Sequence, residues 1–302
     1  MRLVLSFTAV LLCCCTSNPA PEVPPNKLEG MVRVPEGNFW RGCDVAVVEA
    51  WGGGCDDNPD GDIALDVPFA QVHLSEFWID QYEATTTEYL ACRDAGACAD
   101  NVLSFPRNVA EEDQGELPIS DLNWYEADAY CKWRGKRLPT EAEWEKAARG
   151  TDQRQLPWGD DYLTCGTANL ILGEFDDSCD EPRHALPVHA HPADRSPYGA
   201  IGMAGNIQEW VADWKGKFYY STGPMNDPTG PADAEAERPY KILRGGYYDS
   251  GPTTVRVSQR RWALPEKHLD RAGVRCASSV SPPAIDDPPP TLRCCRCSRD
   301  CT

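Results

Sequence analysis

Positive charge is in short supply. The 302-residue chain carries 29 Lys+Arg against 47 Asp+Glu, a formal net charge of −18. A surface of that sign repels phosphate backbones, so the composition argues against nucleic-acid binding. Long apolar runs are missing as well. No internal stretch reaches the ~20 residues that a membrane-spanning helix needs. Soft metal ligands are thin: there are four methionines and five histidines, and no cysteine lies between Cys179 and Cys276. That whole stretch therefore has no thiolate to offer a soft metal ion.

What is plentiful is proline (26), glycine (24) and tryptophan (10), within a hydrophobic content of 41%. That content supports a packed core and is too high for a disordered acidic chain. The Pro, Gly and Trp together point to a loop-rich domain held by aromatic anchors rather than a helical bundle. Length allows one large domain or two small ones.

The N-terminus reads as a leader. Arg2 precedes the apolar run Leu3 to Leu12, the length of a signal h-region, and Cys13, Cys14 and Cys15 follow at once. The pattern resembles a bacterial lipoprotein leader, where a Leu three residues ahead of a Cys precedes cleavage and lipidation. Leu11 serves Cys14 and Leu12 serves Cys15, so both remain candidates for the lipidated thiol. Ordinary secretion is the alternative, and either route takes the mature chain out of the cytoplasm. Residues 1–15 are thus leader. Residues 16–29, rich in Pro and polar residues, form an extended linker. Residues 30–279 are the folded domain, and 280–302 a Pro/Cys-rich tail.

Twelve cysteines remain beyond the leader, an even number suited to an oxidising compartment. Cys43 and Cys55 bracket a Gly-rich acidic loop, Cys92 and Cys98 bracket RDAGA, and Cys165 and Cys179 bracket a polar loop. Cys131 and Cys276 are left as a long-range pair. Closing that loop would remove unfolded-state entropy on the order of 4–5 kcal/mol. Sequence alone does not fix these pairings. Cys294, Cys295, Cys297 and Cys301 crowd the tail; disulfides or disorder account for them better than zinc, because thiols outside the cytoplasm oxidise and no second ligand cluster matches.

The middle of the chain carries two helices. Trp124, Ala127 and Cys131 fall at i, i+3 and i+7, one helical face, and Gly135 ends that helix. After a tight turn, Thr140 and Glu143 form a capping box, Trp144, Ala147 and Ala148 supply a buried stripe, and Gly150 fits the residue past the helix end.

The run RLPTEAEWEKAARG (137–150) resembles the most distinctive stretch of the formylglycine-generating enzyme, or sulfatase-modifying factor, family. Other blocks agree in order: MVRVPEGNFWRGC at 31–43, FWIDQYEATTTEYLAC at 77–92, LPISDLNWYEADAYCKW at 117–133, PWGD at 157–160, PYGAIGMAGNIQEWVADW at 197–214, and LRGGYY with AGVRC at 243–248 and 272–276. The resemblance spans about residues 30–279. It implies a single α+β domain of modified C-type-lectin-like fold, loop-rich with little regular structure. It also implies a bridge between Cys131 and Cys276.

Oxidases of that family hold Cu(I) on two cysteines, five residues apart, shortly after a GG motif. Counted from Gly245-Gly246, the matching positions are Ser250 and Val255, neither of which can be a thiolate. A family serine after the GG motif is Tyr247 here, and a family tryptophan ahead of the conserved-type Glu is Gln208. Copper is therefore not expected. The resemblance also implies calcium sites, since hard cations take carboxylate and carbonyl oxygens. One set corresponds to Gly205, Ile207 and Glu209, weakened by Gly202 where a side-chain ligand belongs. The other corresponds to Asn169, Leu170 and a downstream acid, Asp177 or Asp180. Glu83 is a further ligand position. Against calcium stands the plain reading of these acids as solvent-facing.

Two clusters fall outside those sets. His184, His189 and His191 lie in HALPVHAH, where an extended backbone would put the last two on one face as a metal pair or a solvated pair. Arg244, Arg256, Arg260, Arg261, Arg271 and Arg275 gather near the end of the domain. They either pair with the protein's acids or recognise a carboxylate or sulfate.

Three functions follow as expectations. The first is a surface-anchored, non-oxidising binding or accessory module that holds a peptide, glycan or envelope protein. The second is a formylglycine-generating or divergent oxidase. The third is a ligand-free structural lipoprotein whose groove its own side chains, Tyr247 and Tyr248, would fill.

Overall fold

Side-chain caps start the three longer helices. Thr85, Asn123 and Thr140 each accept from the backbone N–H three residues on, and Glu88, Glu126 and Glu143 each return a carboxylate to the cap N–H. The reciprocal bonds satisfy donors that a helix start leaves free. In the computed structural model, residues 29–50, 55, 66–100, 111–159, 166–171, 183–234 and 239–279 are described. The leader, the linker before residue 29, the tail from 280, and the cysteines 165 and 179 lie outside the described residues.

In chain order the elements are β1 (Met31–Val34), β2 (Gly37–Arg41), α1 (Val45–Ala50), β3 (Ala70–Leu74), β4 (Phe77–Asp80), α2 (Thr86–Asp94), α3 (Trp124–Trp133), α4 (Glu141–Arg149), β5 (Gln208–Trp214), α5 (Tyr219–Thr222), β6 (Lys241–Arg244), β7 (Arg261–Ala263), β8 (Ala272–Gly273) and β9 (Ala277–Ser278). The architecture is α+β and loop-rich. Among the described residues it has three small sheets, ordered β1-β4-β9, β2-β3 and β7-β6-β5-β8. All pairings are antiparallel except β5 with β8.

Helix α4 buries the stripe read from its sequence and the charged residues between as well. A stripe of Trp144, Ala147 and Ala148 was expected, yet all nine residues are buried, including Glu141, Glu145, Lys146 and Arg149. The charged residues go inside because each finds a partner there. Arg244 donates to Glu145 at 2.6 Å and Arg260 donates to both Glu141 oxygens at 2.7 and 2.9 Å. Lys146 caps the carbonyls of Pro35 and Gly37. The link from α3 is also more than a turn. Gly135 takes φ +69°, and Arg137 then exchanges two backbone bonds with Ala277, 2.9 and 2.7 Å.

One apolar cluster packs Trp144 and Ala148 against Phe39, Phe77, Ile79 and Val211. A second gathers Tyr130, Leu138, Trp210 and Val274 around the Cys131–Cys276 bond. Among the described residues three disulfides are formed: Cys43–Cys55, Cys92–Cys98 and Cys131–Cys276, separated by 12, 6 and 145 residues.

Loop-closure entropy ranks the two bridges with both ends in well-formed structure. Converting Cys131 and Cys276 to Ser should cost about 5 kcal/mol, and converting Cys92 and Cys98 to Ser about 2 kcal/mol. Urea unfolding of the two double variants checks this; equal losses would contradict it.

Candidate functional site

The segment after Gly245-Gly246 turns back on itself. Ser250 N–H donates to the Tyr247 carbonyl at 2.7 Å, and Tyr247 N–H donates to Ser250 Oγ at 3.1 Å. The short 3₁₀ turn Pro252–Thr254 then delivers Val255. A Cβ placed on Gly246 would lie 2.4 Å from Val255 Cγ1 and 3.3 Å from Ser250 Cβ, so these two side chains flank the same glycine. Sequence positions 250 and 255 thus converge. Val255 is fully buried among Leu156, Ala168, Leu170 and Ala204, and Ser250 is buried with its hydroxyl held by Tyr247. An isopropyl group in a dry cluster and a committed hydroxyl offer no thiolate chemistry. Every described cysteine is in a disulfide, so no free thiol approaches this point from the described residues.

Beside this turn opens a cavity of about 350 Å³. Gln208 at the start of β5, Tyr247, Arg261 and Trp262 of β7, and Arg271 form part of its wall. Gln208 N–H donates to the Arg271 carbonyl at 2.8 Å, which ties β5 to the segment before β8. Tyr247 and Tyr248 meet edge to face at 6.0 Å, and the Arg271 guanidinium sits 4.7 Å from the Tyr247 ring. Tyr247 lines this space without filling it, and its volume lies in the range of small-ligand pockets.

Behind the cavity lies a buried acidic network. Glu209 takes Arg275 on both oxygens, at 2.9 to 3.0 Å, and Trp144 Nε1 donates to it at 2.6 Å. Arg275 also donates to the carbonyls of Asp80, Gln81, Ile201 and Gly202. Glu83 accepts from Asn206 Nδ2 at 2.7 Å and Ile207 N–H at 3.3 Å. Burial, reinforced by Glu209, pushes Glu83 well above the carboxylate range. Glu209 is thus engaged by Arg275 and Trp144, and the Ile207 N–H by Glu83.

Asn169 differs. It is buried, its amide nitrogen donates to the His184 carbonyl and to Asn206 Oδ1, and its own Oδ1 has no partner. An orphaned buried oxygen beside the Leu170 backbone fits a hard cation. Asp177 and Asp180 lie outside the described residues. Gly205, at φ +99°, lets the chain pass close by; a Cβ there would sit 2.3 Å from the Asn169 carbonyl.

The histidines take no shared strand face: residues 188–190 form turns, and His191 Nδ1 lies 3.0 Å from the Gly166 carbonyl. No group of three His, Cys, Asp or Glu suited to a metal occurs among the described residues. The arginine cluster is largely absorbed by acids, with Arg244 on Glu145, Arg260 on Glu141 and Arg275 on Glu209. Sequence reasoning missed Asp194. Buried, with one oxygen accepting from Ala204 N–H and the other unpartnered, it is pushed up to about 8 by burial, against the pull of Ala204 and Arg275. Nothing in its Pro-Ala-Asp-Arg surroundings signals that environment.

A loop-rich α+β body with its cavity beside a GG turn defines a domain of the formylglycine-generating-enzyme type, and comparison with known proteins agrees. The model of the sulfatase-modifying factor enzyme 1-like domain matches residues 17–280. The formylglycine-generating enzyme of Streptomyces coelicolor is 30% identical over 310 residues, covering 87% of this chain and 94% of that protein. The inactive C-alpha-formylglycine-generating enzyme 2 of Mus musculus is 36% identical over 180 residues, 57% of this chain and 52% of that protein. Among solved structures, PvdO from Pseudomonas aeruginosa shares the fold with a TM-score of 0.63 at 24% identity, over 83% of this chain and 94% of that one. The chain belongs to the sulfatase-modifying factor family, whose members here include both enzymes and a protein named as inactive.

Two outcomes test this network. Glu209→Gln strands a buried guanidinium and should cost about 3–5 kcal/mol in chemical denaturation; a loss under about 1 kcal/mol would contradict the pairing. Asp194 moves from an ordinary 3.8 to about 8 on folding, so its contribution is full below the lower value and lost as pH rises through the upper. Unfolding midpoints of Asp194→Asn should therefore depend less on pH between these limits than those of the parent, and parallel curves would refute the assignment.

Proposed function

We propose that this chain is a non-oxidising binding or accessory module of the bacterial cell envelope. It uses the family scaffold to hold a peptide, glycan or envelope protein. The observation that carries the reading is the pair Ser250 and Val255, which flank Gly246 where a copper-gripping pair of thiolates belongs. The bridged state of every described cysteine supports it, as does the cavity open beside Tyr247. That same opening weighs against a ligand-free structural lipoprotein. The leader supports export and attachment by a lipid on Cys14 or Cys15.

A second reading, a formylglycine-generating oxidase that converts a sulfatase cysteine, is favoured by the Streptomyces coelicolor relative, matched over nearly its whole length. Oxygen uptake separates the two. Protein made in an oxidising compartment and given copper and a cysteine-containing sulfatase peptide should consume no O₂ above the peptide-plus-copper control. Turnover would overturn the non-oxidising reading.

Calcium belongs to the same proposal. Asn169 Oδ1 and the Leu170 carbonyl, with Asp177 or Asp180, would hold the ion and stiffen the loop by charge alone. After chelation, added Ca²⁺ should raise Tm by several degrees, and Asn169→Ala should abolish the rise; no response in the parent protein would remove calcium from the account.

A further inference from the structure

Among the arginines near the end of the domain, Arg244, Arg260, Arg271 and Arg275 each have a carboxylate within ion-pair reach. Arg149 and Arg244 each leave Nε without a partner, but their terminal nitrogens are fixed on Glu145. Arg261 leaves Nε buried and unpartnered and has no ion pair among the described residues. Its neighbour is the Tyr247 ring, 5.9 Å away. Desolvation by the surrounding walls pulls its pKa below the ordinary value, the direction expected of a cation with no counter-charge nearby.

Arg261 faces the 350 Å³ cavity. Lys267 stands at the rim, exposed and without an ion pair among the described residues. A turn places it there, its N–H donating to the Leu264 carbonyl at 3.0 Å. Arg271 lies 4.7 Å from the Tyr247 ring and reaches Asp249 at 3.3 Å and Asp270 at 3.8 Å, both through partly exposed pairs that solvent weakens. Arg260 also lines the cavity, but Glu141 neutralises it. In a protein of net charge −18, the walls of this one space carry an excess of positive charge. Aromatic surface from Tyr247 and Trp262 lies beside that charge.

We propose that this cavity binds an oxyanion group, a carboxylate, sulfate or phosphate. Arg261 is its principal partner, Lys267 is a second cation at the mouth, and Tyr247 and Trp262 form walls for whatever flat body carries the group. A guanidinium with an unused Nε–H suits an oxyanion, which can take two of its N–H groups at once. The inference rests on the reading of the chain as a binding module and names the chemistry that module would recognise.

Isothermal titration on the full domain tests it with named probes: sodium sulfate, sodium phosphate, benzoate, phenyl sulfate and phenyl phosphate, with phenol and benzamidine as the neutral and cationic controls. At least one oxyanion should bind at a single saturable site, weaken as salt rises, and lose at least tenfold in affinity in Arg261→Gln. Lys267→Gln, at an exposed position that the fold does not need, should lose several-fold. Phenol and benzamidine should not bind. Tighter binding of the aryl anions than of the inorganic ions assigns the group to a larger ligand; equal binding assigns it to the free ion. Saturable heat from no anion, or affinities unchanged in both variants, overturns the proposal. Since O₂ uptake is a separate measurement, an active oxidase would sink the non-oxidising reading without altering the titration, and a silent titration would leave that reading standing.

Discussion

The fold depends on one buried ion pair. Arg275 is fully buried, and its guanidinium joins Glu209 on β5 to four backbone carbonyls, at Asp80, Gln81, Ile201 and Gly202. Three of those carbonyls, at Gln81, Ile201 and Gly202, lie outside the strands. A single side chain with five donors does what a sheet would otherwise do. Trp144 adds α4 to the same carboxylate, and the neighbouring Cys276 is bonded to α3. Three distant regions of the chain therefore meet at Glu209 and its partners. Burying charges is costly, and the cost is offset here because every donor of Arg275 finds an acceptor.

The same device recurs around α4. Glu141 and Glu145 accept from Arg260, Arg244, Arg149 and the Gly42 backbone. A loop-rich domain with small sheets leaves many carbonyls and N–H groups unpaired within elements. Long charged side chains reach across the gaps. This explains how an acidic protein rich in Pro and Gly keeps an ordered interior with few long elements. It also explains why the positions that distinguish oxidase chemistry can change without unravelling the scaffold. Ser250 and Val255 take no part in either network.

Legibility from sequence follows the range of the interaction. Thr140 with Glu143 was readable because a capping box is written within four residues. Asn123 with Glu126 has the same form, written over the same short span. The charged positions of α4 were not readable as buried, since Arg244 and Arg260 lie about a hundred residues away in sequence. The fold class is carried by ordered blocks rather than by periodicity, which strands mostly of two to five residues barely show. The cavity was out of reach for the same reason. Its walls come from β5, the turn after β6, β7 and the segment before β8, and only their assembly reveals that Arg261 lacks the carboxylate that its neighbours have.

The chain enters the described domain on β1 and leaves it on β9, and both strands pair with β4. Val32 and Ala277 flank the same residue, Ile79, roughly 10 Å apart across two strand spacings. Tension between the two ends would act as shear on that three-stranded sheet, and at the exit it would pass into α3 through the covalent link at Cys276. The exit also reaches the four-stranded sheet, because Arg275 beside Cys276 is bonded to Glu209 on β5, next to the cavity wall at Gln208, so a pull on that end would be felt at the cavity.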